Sequence, residues 1–205
     1  MVKINNQTYK LGNNNYIKKR HSKTQIVIGN TFSENMNHFK GWETRNGGKF
    51  KRTTAYTIDI YGNIYQHYHP EFYSQYLDIT GLDEHIIAIS IENEGWLVKD
   101  IDNHEYINYV GNIYNRKDEV VEKRWRDQTY WSPYKKEQLI SAVKLSKYLC
   151  DTFGIPQQTV SHNTKFDGVH EFKGVIFKSN FDKHFSDLSP AWDYNLFKLQ
   201  LENIV

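Results

Sequence analysis

The sequence predicts an α/β fold, a mixed central β-sheet flanked by α-helices, on three observations. Short apolar runs at residues 25–28 and 85–91 have strand length and are rich in isoleucine, as strands buried on both faces are. Two stretches of alternating apolar and polar residues meet at Tyr61-Gly62-Asn63, the pattern of a β-hairpin. A long stretch ending at Gly154 carries apolar side chains at helical spacing. Strands interleaved with helices in this order build a sheet covered by helices rather than a sandwich or a bundle.

The elements can be justified in chain order. Residues 1–23, polar, asparagine-rich and basic, are expected to form an extended arm. Residues 24–205 are expected to form a single domain, since a chain of 205 residues suits one sizeable core and shows neither linker nor internal repeat. The arm leads into a first strand near 24–28. After "VIGNT", Ser33 is placed to cap a short helix that turns Met36, Phe39 and Trp42 to one face before glycines end it. The hairpin follows in "AYTIDIYGNIYQHYH". "HIIAISIENEG" is expected to be a central, doubly covered strand that closes in acids and a glycine. Residues 100–130 are polar, aromatic and without period, and are expected to form an irregular surface insertion. Ser132-Pro133 then opens a long helix, serine as cap and proline at the first helical position. Leu139, Ile140, Val143, Leu149 and Cys150 turn inward on it, and Gly154 with Pro156 stops it. "QQTVSH", residues 157–162, is expected to form a short strand directly after it.

Composition narrows the function classes. A net charge of +2 is too small for a nucleic-acid footprint unless it is clustered. The cluster Lys123-Arg124-Trp125-Arg126 suits a solvated face or a glycan contact better, so nucleic acid is not an expected partner. The heavy load of tyrosine and tryptophan supplies rings both for a core and for sugar-binding surfaces. Cys150 is the single cysteine, which excludes a disulfide framework and a cysteine metal cage. The amino terminus lacks the apolar stretch of a signal peptide, and no run of about 18 apolar residues offers a membrane span. Synthesis in the cytoplasm is therefore expected.

Four signatures together, "QIVIGNT", "TTAYTIDIYGNIYQ", "IAISIENEG" and "FGIPQQTVSHNTKFDG" with the later "DLSPAWD", resemble the zinc-dependent N-acetylmuramoyl-L-alanine amidases. That superfamily includes phage lysozyme-like amidases and peptidoglycan recognition proteins. The resemblance covers most of residues 24–197. It implies a peptidoglycan amidase, phage-encoded, that cuts the bond between N-acetylmuramic acid and L-alanine and reaches the cell wall after lysis or as part of a virus particle. It also implies zinc, held by a histidine ending the first strand, a histidine ending the last strand and an aspartate or cysteine in the loop beyond, with a fourth position left for water. The metal polarises the amide carbonyl and lowers the pKa of its water, while a carboxylate moves the proton to the leaving nitrogen. Matched by position, Glu92 is implied as the catalytic carboxylate, Tyr56 as the tyrosine near the metal water, His162 as the last-strand ligand and Asp187 as the loop ligand. The residues alone leave other readings open. Glu92 is also an ordinary strand end with Glu94 on the same face, and Tyr56 is also a core ring.

The pattern breaks at the first ligand, where the sequence has Gly29. Counting back from Asp187 by the ordinary family spacing lands on Lys178 or Ser179 rather than on a histidine, and a further family histidine is matched by Tyr76. His67 and His69, two apart on a strand, are substitute donors to consider, as are His38, His170 and His184. The sequence thus points to a branch of the family in which the zinc centre is dismantled or moved. The alternative to a hydrolase is a catalytically inactive module on the same fold that binds peptidoglycan or serves as a structural interaction protein of a virion.

Overall fold

A computed structural model describes residues 2–161 and 165–202. The first ordered pairing is made inside the arm. Ile4–Asn5 forms β1, and Asn15 is buried farther on, where its amide donates to the carbonyls of Trp42 at 2.9 Å and Phe50 at 3.1 Å. The arm is therefore laid against the body of the molecule. β2 (Gln25–Asn30) is buried at all six positions, as its unbroken apolar pattern requires.

α1 (Asn37–Gly48) follows, with a kink at residues 45–47 where Asn46 and Gly47 take positive φ. Its Phe39 and Trp42 are buried together with Met36, as their spacing predicts. The cap differs from expectation. No side chain caps the helix from the preceding residue; the Met36 N–H is met instead by the distant Glu92 carboxylate. The hairpin forms as expected, β3 (Tyr56–Ile58) antiparallel to β4 (Ile64–Gln66), its turn fastened by Asp59 Oδ1, which accepts from Tyr61 N and Asn63 N at 2.9 and 2.8 Å. β5 (Ile86–Ile91) is the central strand and is also fully buried.

The stretch 100–130, expected to be an irregular surface insertion, belongs to a second sheet that spans residues 96–131. β6 (Trp96–Asp100), β7 (Glu105–Asn108), β8 (Val121–Trp125) and β9 (Gln128–Trp131) pair antiparallel in the order β7-β6-β9-β8. Their strands are short and one face is open to solvent, so their apolar content is too thin to show as a pattern. α2 (Lys136–Phe153) begins later than Ser132, where the Gln138 side-chain carbonyl reaches back to accept from Lys135 N at 2.9 Å. Ser132 and Pro133 are used otherwise: both carbonyls accept from the Asn93 amide, at 3.1 and 3.0 Å. Gly154 ends α2 in the left-handed conformation (φ 66°), as predicted for a glycine at that place.

β10 (Gly174–Phe177) is the last strand, and α3 (Tyr194–Leu201) packs on α2. Of the expected strand at 157–162, residues 157–161 contribute a single bridge, Thr159 to Val175, and His162 lies outside the described residues. The main sheet has the order β1-β4-β3-β5-β2-β10, with β3, β5, β2 and β10 parallel to their neighbours in that series and β4 antiparallel to β3. This is the predicted mixed sheet flanked by helices. Ile26, Ile28, Ile89 and Ile58 join the larger core with Leu139, Leu145 and Leu149 of α2. Val27, Ala88 and Ile176, on the opposite face, form a smaller core with Tyr76, Leu77 and Phe181.

Candidate functional site

Pleating decides what the carboxyl ends of the parallel strands expose. Thr57 pairs with Ser90, Ser90 with Gly29, and Lys178 follows Phe177, which pairs with Ile28. Thr57, Ser90, Gly29 and Lys178 therefore form one row across four adjacent strands, at the end where open α/β sheets place their ligands. A groove of about 680 Å³ lies over this row. α1 supplies one wall through His38 and Trp42, and the second sheet supplies another through Trp96 and Tyr109.

At the middle of the row, the absent side chain of Gly29 is replaced by its neighbours. A Cβ placed on Gly29 would lie 2.2 Å from the Tyr76 hydroxyl, 3.3 Å from Asp187 Oδ2 and 3.4 Å from Lys178 Cδ. The tyrosine hydroxyl thus occupies the space that any side chain at position 29 would need. Lys178 lays its ammonium 4.6 Å from the ring centres of both Tyr76 and Phe185. Asp187 is almost wholly buried, and its Oδ1 has no hydrogen-bond partner among the described residues. Burial raises its carboxyl to about 6, against the opposing pull of the Lys178 charge, a hydrogen bond from the Asn30 backbone and the Arg126 charge. Burial, followed by the Asp187 charge, holds the Tyr76 hydroxyl well above its ordinary value, so it remains protonated.

Zinc requires several neutral or anionic donors converging on one point. The residue ending the first strand offers no donor. The residue following β10 offers an ammonium, and only Asp187 offers a carboxylate. Among the described residues these positions do not fit a zinc ion. His162 lies outside the described residues; its neighbour Ser161 is held by Asn180 Nδ2, which donates to its carbonyl at 2.8 Å.

The other residues singled out in the sequence fall in two places. Glu92 lies just past β5, nearly inaccessible, and does not line the groove. Its carboxylate accepts from Met36 N and, at 3.3 Å, from Ile60 N, and its backbone carbonyl accepts from Gln138 Nε2 at 2.6 Å. Burial raises its carboxyl to about 7 in spite of those two N–H donors. Tyr56 sits in register with Ile89, on the face of the sheet turned to α2 and away from the row, inside the larger core. Asp187 is thus brought to Gly29 in the row, buried beneath the groove rather than lining it, whereas Glu92 is tied beneath the start of α1 and Tyr56 points to the other side.

Of the substitute donors, His67 is buried and used: Nδ1 meets the Tyr9 carbonyl at 2.7 Å and Nε2 meets Thr57 Oγ1 at 2.8 Å. The Thr57 hydroxyl also meets His38 Nε2 at 3.2 Å, and burial lowers both imidazoles, His67 to about 4 and His38 to about 3. Both rings are therefore neutral at pH 7. His69 lies beside Glu71, and His184 pairs with Asp182 at 2.8 Å; neither lines the groove.

Sequence reasoning missed the rim of the groove. Phe32, Tyr109 and Trp96 meet edge to face or tilted, with ring centres 5.7 and 6.3 Å apart along the chain of contacts. Gly95 (φ 78°) makes that packing possible, since a Cβ there would lie 2.5 Å from the Phe32 ring. Glu94, named only as a substitute for Glu92, lines this rim and accepts from Asn108 Nδ2. The signal available was Trp96 directly after the glycine that ends the acidic stretch. Arg45 and Arg52 add cations at the opposite end of the groove.

Comparison with known proteins agrees with this architecture. The family described as N-acetylmuramoyl-L-alanine amidase matches residues 19–173. Among solved structures, the chain is similar to the N-acetylmuramoyl-L-alanine amidase LysC from Clostridium intestinale, at 12% identity and a TM-score of 0.55 over 98% of each chain. It is similar to a mutant endolysin from Bacillus subtilis, at 15% identity and a TM-score of 0.56 over 98% of this chain and 99% of that one. A third likeness is to the amidase AmiD from E. coli, in complex with anhydro-N-acetylmuramic acid-L-Ala-D-gamma-Glu-L-Lys, at 14% identity and a TM-score of 0.57 over 90% of this chain and 59% of that one. No curated protein matches the sequence. At such identities the solved structures speak to the fold.

Proposed function

Because this chain belongs to the N-acetylmuramoyl-L-alanine amidase family, we propose that its groove binds a peptidoglycan fragment and does so without zinc-assisted hydrolysis at the ends of β2 and β10. The observation that carries this reading is the replacement at the row itself. Where the family would bring two imidazoles, this chain has a glycine whose space is filled by the Tyr76 hydroxyl and a lysine ammonium beside Asp187. The groove around it is retained, at about 680 Å³, a volume suited to a sugar and a short peptide. Trp96 and Tyr109 offer ring faces for a sugar, and Arg45 and Lys178 offer cations for the carboxylates of a stem peptide.

The natural site of action for such a module is the cell wall, reached after lysis or as part of a virus particle of phage origin. Among the described residues no helix is long and apolar enough to cross a membrane. A hydrolytic reading has one observation in its favour: Glu92, raised to about 7, has the proton affinity of a general acid–base group. In that reading Glu92 is the base, His162 and Asp187 are ligands, and Tyr56 is a neighbour of the metal water.

The deciding experiment incubates the purified chain with insoluble peptidoglycan, with and without added zinc, and measures both co-sedimentation and the appearance of new amino termini. Binding without new amino termini is expected. New amino termini that disappear in Asp187→Asn and in Glu92→Gln would establish the hydrolytic reading and end this one.

A further inference from the structure

A second cluster of donors lies at the far end of the sheet, where the strands begin. His21 closes the arm just before β2, while Glu84 and His85 form the turn that leads into β5, and the two segments are joined by Thr24 N donating to the His85 carbonyl at 2.9 Å. An imidazole nitrogen of each histidine and a carboxylate oxygen of Glu84 lie within 4.8 Å of one another, the one such trio among the described residues. Zinc with bonds of about 2.0–2.2 Å sets its donors about 3.3 Å apart, so side-chain rotations of about an ångström would close the trio. No backbone change is needed.

Two independent observations indicate that these groups are shaped for a ligand. His21 Nε2 is buried and has no hydrogen-bond partner among the described residues, an arrangement that wastes a polar atom unless something binds it. His85 Nδ1 is engaged by the Ser22 carbonyl at 2.9 Å, which fixes the ring and its tautomer and leaves Nε2 as a lone-pair donor. The two rings stand edge to face with centres 5.7 Å apart, so they do not cover each other. All three residues are half-buried, which leaves access from solvent. The Lys23 ammonium is engaged by the backbone carbonyls of Phe72 and Glu84, at 2.9 and 2.8 Å.

We propose that His21, Glu84 and His85 bind a divalent transition metal of the zinc type, two imidazoles and one carboxylate with a fourth position for water, and that the metal clips the arm to the start of the central strand. The site is remote from the groove, so its role is structural.

Isothermal titration of the full chain with zinc alone tests it, alongside thermal unfolding. One equivalent of zinc is expected to bind, and a hundredfold excess over Kd is expected to raise Tm by about 5 °C or more. His21→Ala, which removes an unpartnered group, and Glu84→Gln are each expected to weaken binding at least about tenfold. Asp187→Asn, beside Gly29 at the other end of the strands, is expected to leave it unchanged. Visible absorption of bound cobalt(II), lost in the same two variants, supplies a readout independent of stability. The proposal is overturned if wild type binds no equivalent of zinc, if His21→Ala and Glu84→Gln bind it as wild type does, or if Asp187→Asn abolishes it. Should His85→Ala fail to fold, the His21→Ala result decides.

Discussion

At the scale of single residues, two positions carry most of the argument. Gly29 is needed because the Tyr76 hydroxyl stands 2.2 Å from where its Cβ would be. Gly29→Ala is expected to destabilise the protein by about 1–3 kcal/mol through overpacking. Tyr76→Phe removes the colliding atom, so Gly29→Ala made in that background should cost less than in wild type. A double-mutant cycle by urea denaturation reads the coupling, and simple additivity would show that the two side chains do not compete for the space. Glu92 carries a charge that folding disfavours. Its carboxyl rises from 4.5 to about 7 on burial, so the folded state holds the proton more tightly than the unfolded chain does. The stability it contributes is full below about pH 4.5 and is lost as pH rises to about 7, by about 3 kcal/mol. Glu92→Gln cannot accept both N–H groups, and should be less stable than wild type at pH 4.5 by about 1–2 kcal/mol. That deficit should shrink or reverse by pH 8. A difference in Tm that stays constant with pH would mean that Glu92 is not protonated on folding.

At the scale of elements, legibility followed how local the determinants are. β2, the β3–β4 hairpin, β5 and α2 were readable because a short pattern and an adjacent turn or glycine specify each one. β10 was not. "GVIF" is four residues long and is strand-like only because it pairs with β2 far away in sequence, whereas "QQTVSH" has the β-branched and polar look of a strand and its described residues, 157–161, make one bridge. Lys178 therefore follows the observed last strand, in agreement with the count back from Asp187, which had pointed to Lys178 or Ser179, whereas His162 lies outside the described residues. The second sheet escaped for a related reason, since its strands have an open face and their aromatic residues pack on one another. Its tight turn at Arg126 and Asp127, both at positive φ, also does more than reverse the chain. The Arg126 guanidinium donates to the carbonyls of Ser179 at 2.7 Å, Asp182 at 2.8 Å and Phe185, and stacks on Trp125, so the second sheet holds the loop that carries Lys178 and Asp187. Arg126→Gln is expected to lose about 2 kcal/mol or more, as charged donors to carbonyls do. It should also speed amide exchange at Ser179, whose N–H donates to the Asp187 carbonyl at 2.5 Å. Exchange at Ser179 unchanged in a destabilised variant would place the effect elsewhere.

At the scale of the whole molecule, the parallel strands separate two regions of different chemistry. The row with Gly29, Lys178 and Asp187 lies at their ends, and His21, Glu84 and His85 lie at their starts. β2 runs from one to the other, and the five residues from Thr24 to Gly29 span about 16 Å of strand. That exceeds a Debye length of about 8 Å at physiological ionic strength, and no chain of titratable groups joins the two ends through the apolar layers of β2 and β5. Charge placed at one end should therefore be little felt at the other. The expected outcome is independence: zinc at the strand starts raises Tm without changing the amount of chain that co-sediments with peptidoglycan, and chelation lowers Tm back without releasing it. Asp187→Asn should show the reverse, changing wall binding while leaving the zinc-induced gain in unfolding free energy within about 0.5 kcal/mol of wild type. Release of the chain from the wall on chelation, in wild type and not in His21→Ala, would show that the clip governs the groove and that the sheet transmits more than its geometry suggests.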